Sequence, residues 1–365
     1  VGSGSVREMQ EWVEYLTFDG DSPLIKQRRE NGRDEPWRVK FWGVGNDNWG
    51  CGGQMRPEFY ADHYRRYATY CRNLGEHRLF KIACGASNDN YHWTDVLMRE
   101  AATRMDGLSL HYYTVVGSWQ DKGSATDFDE EKWFCMLEKA LFMEELITRH
   151  ANIMDRYDSE KRVGLFVDEW GTWHDVEPGT NPGFLYQQNT LRDALVAGLT
   201  LNIFNQHSDR VRGANIAQTI NVLQAMILTQ GDRLVLTPSY HVFEMYKAHQ
   251  NATLLPIDIK STSYTFGEQT IPAISASASR GSDGKVHLSL CNLDPNHQQR
   301  LVCEIRGMKP STISGRILTG EIINAHNTFE SPNVVAPQPF TGVTLTDNRI
   351  EGELPAKSVV VLELE

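Results

Sequence analysis

Up to about residue 245 the chain repeats one pattern, a short run rich in Val, Ile, Leu and Phe followed by a longer amphipathic stretch. Apolar runs of about four to eight residues read as strands buried on both faces, so the alternation predicts βα units around a parallel sheet. Five strands are expected, at 39–45 (VKFWGVG), 79–84 (LFKIAC), 107–112 (GLSLHY), 163–168 (VGLFVD) and 198–204 (GLTLNIF). Pro57 opens a predicted helix through EFYADHYRRYATYCRNLG with Gly75 as its stop, and Asp129, Glu130 and Glu131 favour the start of another over 132–150. After about residue 250 the pattern changes to alternating strands with turn punctuation. AISASASRGSDGKVHLSLCNLD carries a hairpin at Asp283 and Gly284, and RLVCEIRG, SGRILTG and SVVVLELE follow. The expected fold is therefore α/β, a (β/α) barrel domain over 1–245 and an all-β sandwich over 246–365, with a helix near 239–250 joining them.

Composition narrows the partners. With 40% apolar and 23% charged residues the chain has the balance of a folded protein. A formal charge of −11 repels phosphate backbones and anionic lipid heads, which argues against nucleic acid or a membrane surface as partner. No apolar run approaches the roughly 20 residues needed to cross a bilayer. The six cysteines, at 51, 71, 84, 135, 291 and 303, form no CxxC pair, and the twelve histidines form no HExxH, so neither a disulfide framework nor a metal site is expected. Reduced thiols fit a cytoplasmic protein. The opening VGSGSV reads like the interior of a longer protein and lacks the third glycine of a dinucleotide fingerprint.

The chemistry sits where strands end. The first strand runs into Asn46, Asp47, Asn48 and Trp49; the third carries His111 and reaches Tyr113; the fourth runs into Glu169 and Trp170. Side chains at the carboxyl ends of barrel strands converge on one mouth, which would bring Asp47 and Glu169 together. Either acid alone is as readily a helix cap or an arginine partner. His111 and His207 are each more often hydrogen-bonded core residues, and the aromatics more often packing. Two acids at two strand ends shift the balance toward glycoside hydrolysis, in which one carboxyl donates a proton to the leaving oxygen and the other attacks the anomeric carbon. Trp49, Trp170 and Trp173 would offer flat faces to sugar rings and desolvate the proton donor.

The segments FWGVGNDNWGCGG, SLHYYT, FVDEWGTW, FNQHSDRVRGANIAQTINVLQAMILT and LTGEIINAHNTFESPNVV resemble, in order and spacing, the motifs of the α-L-arabinofuranosidases of glycoside hydrolase family 51. That resemblance implies a clan A (β/α)8 TIM barrel with a jelly-roll-like C-terminal sandwich and no cofactor. It also implies a retaining mechanism that releases terminal arabinofuranosyl groups from arabinoxylan, arabinan or derived oligosaccharides. By residue, Glu169 matches the family's nucleophile and position 47 its acid/base. Asn46 matches the asparagine that binds the sugar 2-hydroxyl, and Tyr113 the tyrosine that bonds the nucleophile. Gln224 matches a sugar-binding glutamine, and His111, one side-chain alternation before Tyr113, is expected to bind substrate with it, as is Trp49. A homo-oligomer, often a hexamer, is implied as well.

Two departures stand out. Position 47 is glutamate in the family and Asp47 here, one methylene shorter, which draws the acid back by about 1 Å, and misplacement on that scale can cost about 10²-fold in rate. A retaining site with two glutamates holds its carboxyls about 5–5.5 Å apart. The second departure is the strand count: five are expected where a closed barrel has about eight, and residues 1–16 resemble the family's segment after its third strand. A companion N-terminal polypeptide segment is the expectation that follows. Two rival readings keep the same pocket: an endo-acting β-glucanase of the same family, and a catalytically silent carbohydrate-binding protein.

Overall fold

The structure, a computed structural model, describes residues 1–365. The chain forms two compact units. The first comprises Val1–Tyr112, Leu146–Asp168 and Asp209–Ala214, and the second Tyr113–Glu145, Glu169–Ser208 and Asn215–Glu365.

The leading helices of the first unit are α1 (Val6–Thr17), whose Ser5 and Glu8 form a reciprocal capping box, and α2 (Pro23–Glu30), capped by Ser22. Then strands and helices alternate: β1 (Phe41–Val44), α3 (Pro57–Tyr70), β2 (Phe80–Ser87), α4 (Tyr91–Ala101), β3 (Gly107–Thr114), α5 (Glu130–Tyr157) and β4 (Gly164–Thr172). The series ends with α6 (Leu191–Gln206) and β5 (Val211–Ile216), and the five strands make one sheet in the order β1-β2-β3-β4-β5. β1 runs parallel to β2, and β2 to β3. Beneath them α3 and α4 bury Tyr60, Tyr64, Trp93, Leu97 and Met98. The Tyr60 hydroxyl donates to Val44 O at 2.6 Å and accepts from Cys84 N at 2.7 Å, which clamps the end of β1 to the middle of β2. Helix α3 ends at Tyr70, short of Gly75, which instead supplies a left-handed turn (φ 59°) before β2.

The fifth expected strand is corrected. Residues 198–204 lie inside α6, and β5 follows it at Val211–Ile216. The cause is burial on all sides: α6 hides thirteen of its sixteen residues, so no polar face marks the helical period and the run reads like a buried strand. Its start is set by Thr190 and Asp193, another reciprocal capping box.

In the second unit a short hairpin, β6 (Ile227–Gln230) and β7 (Arg233–Leu236), precedes α7 (Pro238–Tyr246), the helix expected near 239–250. A first group of strands comprises β8 (Thr253–Leu255), β9 (Ser263–Phe266), β10 (Gln269–Pro272), β11 (Ile274–Arg280) and β12 (Val286–Asn292). The chain continues through β13 (Gln299–Glu304), β14 (Ile313–Leu318), β15 (Gln338–Pro339), β16 (Val343–Thr346), β17 (Arg349–Leu354) and β18 (Ser358–Leu364). A six-stranded sheet (β15-β14-β18-β12-β11-β8) and a three-stranded one (β13-β17-β16) share a core that includes Leu290, Val360 and Leu362 from the first and Ile350 and Leu354 from the second. The β11–β12 hairpin turns through Gly284 (φ 85°), as expected from Asp283-Gly284. Helix α6 packs on β11 and β12, where the Asn202 amide oxygen accepts from the Ser277 and Ser289 hydroxyls at 2.8 Å each. The fold class is the expected one, a barrel-type βα sheet followed by an antiparallel sandwich. All six cysteines are free thiols, and no helix is long and apolar enough to cross a membrane.

Candidate active site

Asp47 lies just past β1 in a tight loop, with φ 47°. Its own carbonyl accepts from Gly50 N at 2.7 Å and Gly52 N at 2.9 Å. Short Asp and Asn side chains occupy this left-handed region more readily than longer ones. Gly52 is required by the same turn, since a Cβ there would meet Asn46 O at 2.0 Å. Asn48 is fully buried and ties the loop down, donating to Gly52 O at 2.9 Å and Val1 O at 3.0 Å.

Trp49 is held by a bulge in β2, where the pairing with β3 slips between Ala83 and Ala86. The slip frees two carbonyls: Gly85 O accepts from Trp49 Nε1 at 3.0 Å, and Cys84 O from Trp93 Nε1 at 2.9 Å. Gly85 can only be glycine here, because a Cβ would fall 1.5 Å from Ser109 O. The Trp49 ring meets His111 edge to face, with centroids 6.0 Å apart.

His111 is 3% exposed. Its Nδ1 lies 2.8 Å from Asp47 Oδ1 and its Nε2 lies 3.0 Å from Asp168 Oδ1. The Cys51 thiol, 3.5 Å away, donates to Asp47 Oδ2. Burial raises the Asp47 carboxyl's proton affinity, but His111 and then Cys51 outweigh it and hold the pKa below its ordinary value.

In the second unit the Tyr113 hydroxyl donates to Glu169 Oε2 at 2.9 Å. Tyr113 meets Trp173 edge to face at 5.0 Å, and Trp173 meets the half-exposed Trp119 at 5.3 Å, with Lys122 Nζ over both indoles. Farther along β4, Thr172 donates its hydroxyl to Asp193, which also holds the fully buried His174 at 2.9 Å.

Asp47, Trp49 and His111 stand together in the first unit, with Asn46 exposed on the same loop; Tyr113 and Glu169 stand together in the second. Gln224 is corrected to an interior role. It is fully buried, its carbonyl accepts from Thr172 N at 2.7 Å, and its amide donates to Asp193 O and Ser239 Oγ at 2.8 Å each, which leaves no group for a sugar. Trp170 is also corrected from sugar platform to core. It is 1% exposed and packed against Phe204 and Phe243. His207 Nε2 lies 2.6 Å from Glu144 Oε1. Asp168 and Cys51 were not expected. Asp168 was visible in the sequence as the acid next to Glu169, whereas Cys51 carried no signal beyond its nearness to Asp47.

Comparison with known proteins bears on this arrangement. The family profile described as Alpha-L-arabinofuranosidase C-terminal domain matches residues 168–358, and that described as Alpha-L-arabinofuranosidase 1 domain matches residues 3–130. The chain is 53% identical to a Bacteroides ovatus protein named intracellular exo-alpha-L-arabinofuranosidase, over 100% of this chain and 71% of that one. It is 25% identical to a Bifidobacterium longum protein named intracellular exo-alpha-(1->5)-L-arabinofuranosidase, over 100% of this chain and 70% of that one. The crystal structure of the GH51 arabinofuranosidase from Xanthomonas axonopodis pv. citri superposes with a TM-score of 0.98 at 50% identity, over 100% of this chain and 74% of that one.

Proposed function

Because the chain belongs to the α-L-arabinofuranosidase family of glycoside hydrolases, family 51, we propose that it is a retaining, exo-acting enzyme. Its substrates are arabinose-containing oligosaccharides of the arabinoxylan or arabinan type, from which it removes terminal α-L-arabinofuranosyl groups. The exo activity in the names of the B. ovatus and B. longum relatives supports this reading, and the word intracellular in both supports a cytoplasmic enzyme.

The observation that carries the mechanism is the division of labour along β3. His111 and Tyr113 are two residues apart, the spacing that puts side chains on one face of a strand, and each attends one carboxyl: His111 Asp47, Tyr113 Glu169. In the first step Asp47 gives its proton to the glycosidic oxygen while Glu169 attacks the anomeric carbon. The bond to the leaving alcohol breaks and an arabinosyl ester forms on Glu169. In the second step the Asp47 carboxylate takes a proton from water, whose oxygen attacks the same carbon and releases Glu169 as carboxylate, with arabinose of retained configuration. The phenol of Tyr113 stabilises Glu169 as the anion it must be before attack. Asp47, shorter than the family's glutamate and held as a carboxylate by His111, is a weakened acid, which favours substrates whose leaving groups need little protonation.

The test is covalent trapping. A mechanism-based arabinofuranosyl inhibitor should label Glu169, located by peptide mass spectrometry, and Glu169→Gln should abolish both labelling and turnover. Labelling elsewhere, or tight sugar binding by a protein that neither labels nor turns over, would refute the mechanism.

A further inference from the structure

Asp168 precedes Glu169 in β4, yet its carboxylate turns to a different partner, the Nε2 of His111 at 3.0 Å. On the far side of the same ring, Nδ1 faces Asp47 at 2.8 Å. The four facing atoms, Asp47 Oδ1, His111 Nδ1 and Nε2 and Asp168 Oδ1, are all closed to solvent, although the Asp168 side chain as a whole is 31% exposed. One imidazole thus stands between two carboxyls, Asp47 on its Nδ1 side and Asp168 on its Nε2 side.

That arrangement restricts where protons sit. A neutral imidazole has one N–H and one lone pair, so it cannot donate to two carboxylates at once. Two states remain: a doubly protonated ring between two carboxylates, or a ring protonated at Nε2 that accepts at Nδ1 from a protonated Asp47. In both states Asp168 takes the Nε2 proton as a carboxylate. The two differ only in which end of the Asp47–Nδ1 line holds its proton, and the two steps of a retaining hydrolysis ask Asp47 for both, acid first and base second.

We propose that Asp168 is a positioning residue for the reaction, acting on Asp47 through His111 by fixing the Nε2–H tautomer and the plane of the ring. The inference rests on the reading of Asp47 as acid/base. Asp168 makes its contact with His111 Nε2, at 3.0 Å. It keeps Nδ1 pointed at the Asp47 carboxyl and able to give or take its proton. Cys51 bonds to Asp47, the charges of Asp168 and Asp47 act on the Cys84 thiol, and that of Asp168 acts on the Tyr60 phenol.

Replacing Asp168 by Asn keeps the shape but presents an amide that can turn its NH2 to Nε2 and favour the opposite tautomer. The experiment compares kcat/KM, which reports the first step, on an arabino-oligosaccharide and on 4-nitrophenyl α-L-arabinofuranoside. Asp168→Asn should lower the value by about 10²-fold on the oligosaccharide, whose alkoxide needs a proton, and by less than about 3-fold on the aryl glycoside. Asp47→Asn should give the same contrast, the double variant should be no worse than Asp47→Asn alone, and Asp168→Glu should recover part of the loss. Equal losses on both substrates, or additive losses in the double variant, would assign Asp168 a merely structural role and overturn the inference. Should Asp168→Asn fail to fold, His111→Gln breaks the same link and must show the same contrast; equal losses there overturn the inference too. If Asp47→Asn itself shows no contrast, the acid/base reading falls, and the inference with it. If Asp47→Asn shows it and Asp168→Asn does not, the inference alone falls.

Discussion

Tyr113 and Glu169 are joined by a hydrogen bond of 2.9 Å in which the phenol donates and the carboxylate accepts. Bonds to charged acceptors are worth about 1.5–3 kcal/mol, and in the proposed mechanism this carboxylate attacks as an anion. Tyr113→Phe removes the donor and leaves the ring against Trp173. The expected result is a fall in kcat of about 10-fold to 10²-fold on an aryl arabinoside, with a melting temperature changed by no more than about 2 °C. Steady-state kinetics with a thermal melt checks both, and an unchanged kcat would remove Tyr113 from the machinery.

In the proposed mechanism Asp47→Glu extends the acid/base carboxyl toward the glycosidic oxygen by one methylene. Turnover of arabino-oligosaccharides should rise sharply, by on the order of 10², and that of an activated aryl arabinoside much less in its first step. The loop charges for this, because position 47 sits at φ 47° and glutamate adopts that backbone less readily than aspartate. A loss of about 0.5–1 kcal/mol of stability is therefore expected alongside the faster rate. Kinetics on both substrates paired with urea titration tests it; a variant no faster than the parent would mean the shorter acid is not what limits turnover.

His150 links activity-independent stability to pH. It is fully buried, with Nε2 2.8 Å from Asn88 O, a pure acceptor, and Nδ1 2.8 Å from the Thr94 hydroxyl, so the neutral Nε2–H form satisfies both contacts. Burial lowers its pKa from 6.5 to about 4. Below pH 6.5 the unfolded chain takes up a proton that the folded one refuses, so stability is full above that value and falls as the pH drops toward 4. His249, on the sandwich side, is lowered by burial to about 4 as well and adds in the same direction. The urea midpoint should decline between pH 7 and pH 5, and His150→Gln should show a shallower decline than the parent. Parallel declines would assign the effect to other groups.

Much of this molecule was readable in its residues, and the exceptions share a cause. Strands β1 to β4 and the hairpin at Asp283-Gly284 announced themselves through apolar runs bounded by turn residues. Run 198–204 did not announce itself as helix, because α6 has no polar face to set a period; the usable signal was its cap, Thr190 with Asp193. β5 was missed because Arg212, Gly213 and Asn215 break up its apolar pattern. Asp47, His111, Tyr113 and Glu169 stood out from their places at strand ends, and the structure pairs His111 with Asp47 and Tyr113 with Glu169. Gln224 was misassigned because a sequence does not say whether a buried amide already has its partners, and this one does. Asp168 was overlooked because neighbouring acids in a strand look redundant until their partners are known.

The burial of α6 bears on how the protein can be taken apart. By order along the chain this helix belongs with the βα repeats, yet it rests on β11 and β12, with Gly198 so close to Cys291 that a Cβ would come within 2.7 Å of the sulfur. An expression boundary drawn at residue 245 would strip that helix of its seat and leave the buried Ser277 and Ser289 hydroxyls of the sandwich fragment without their Asn202 partner. Attempts to exchange the C-terminal module between relatives, or to graft it elsewhere, therefore have to carry α6 along or redesign the surface it hides.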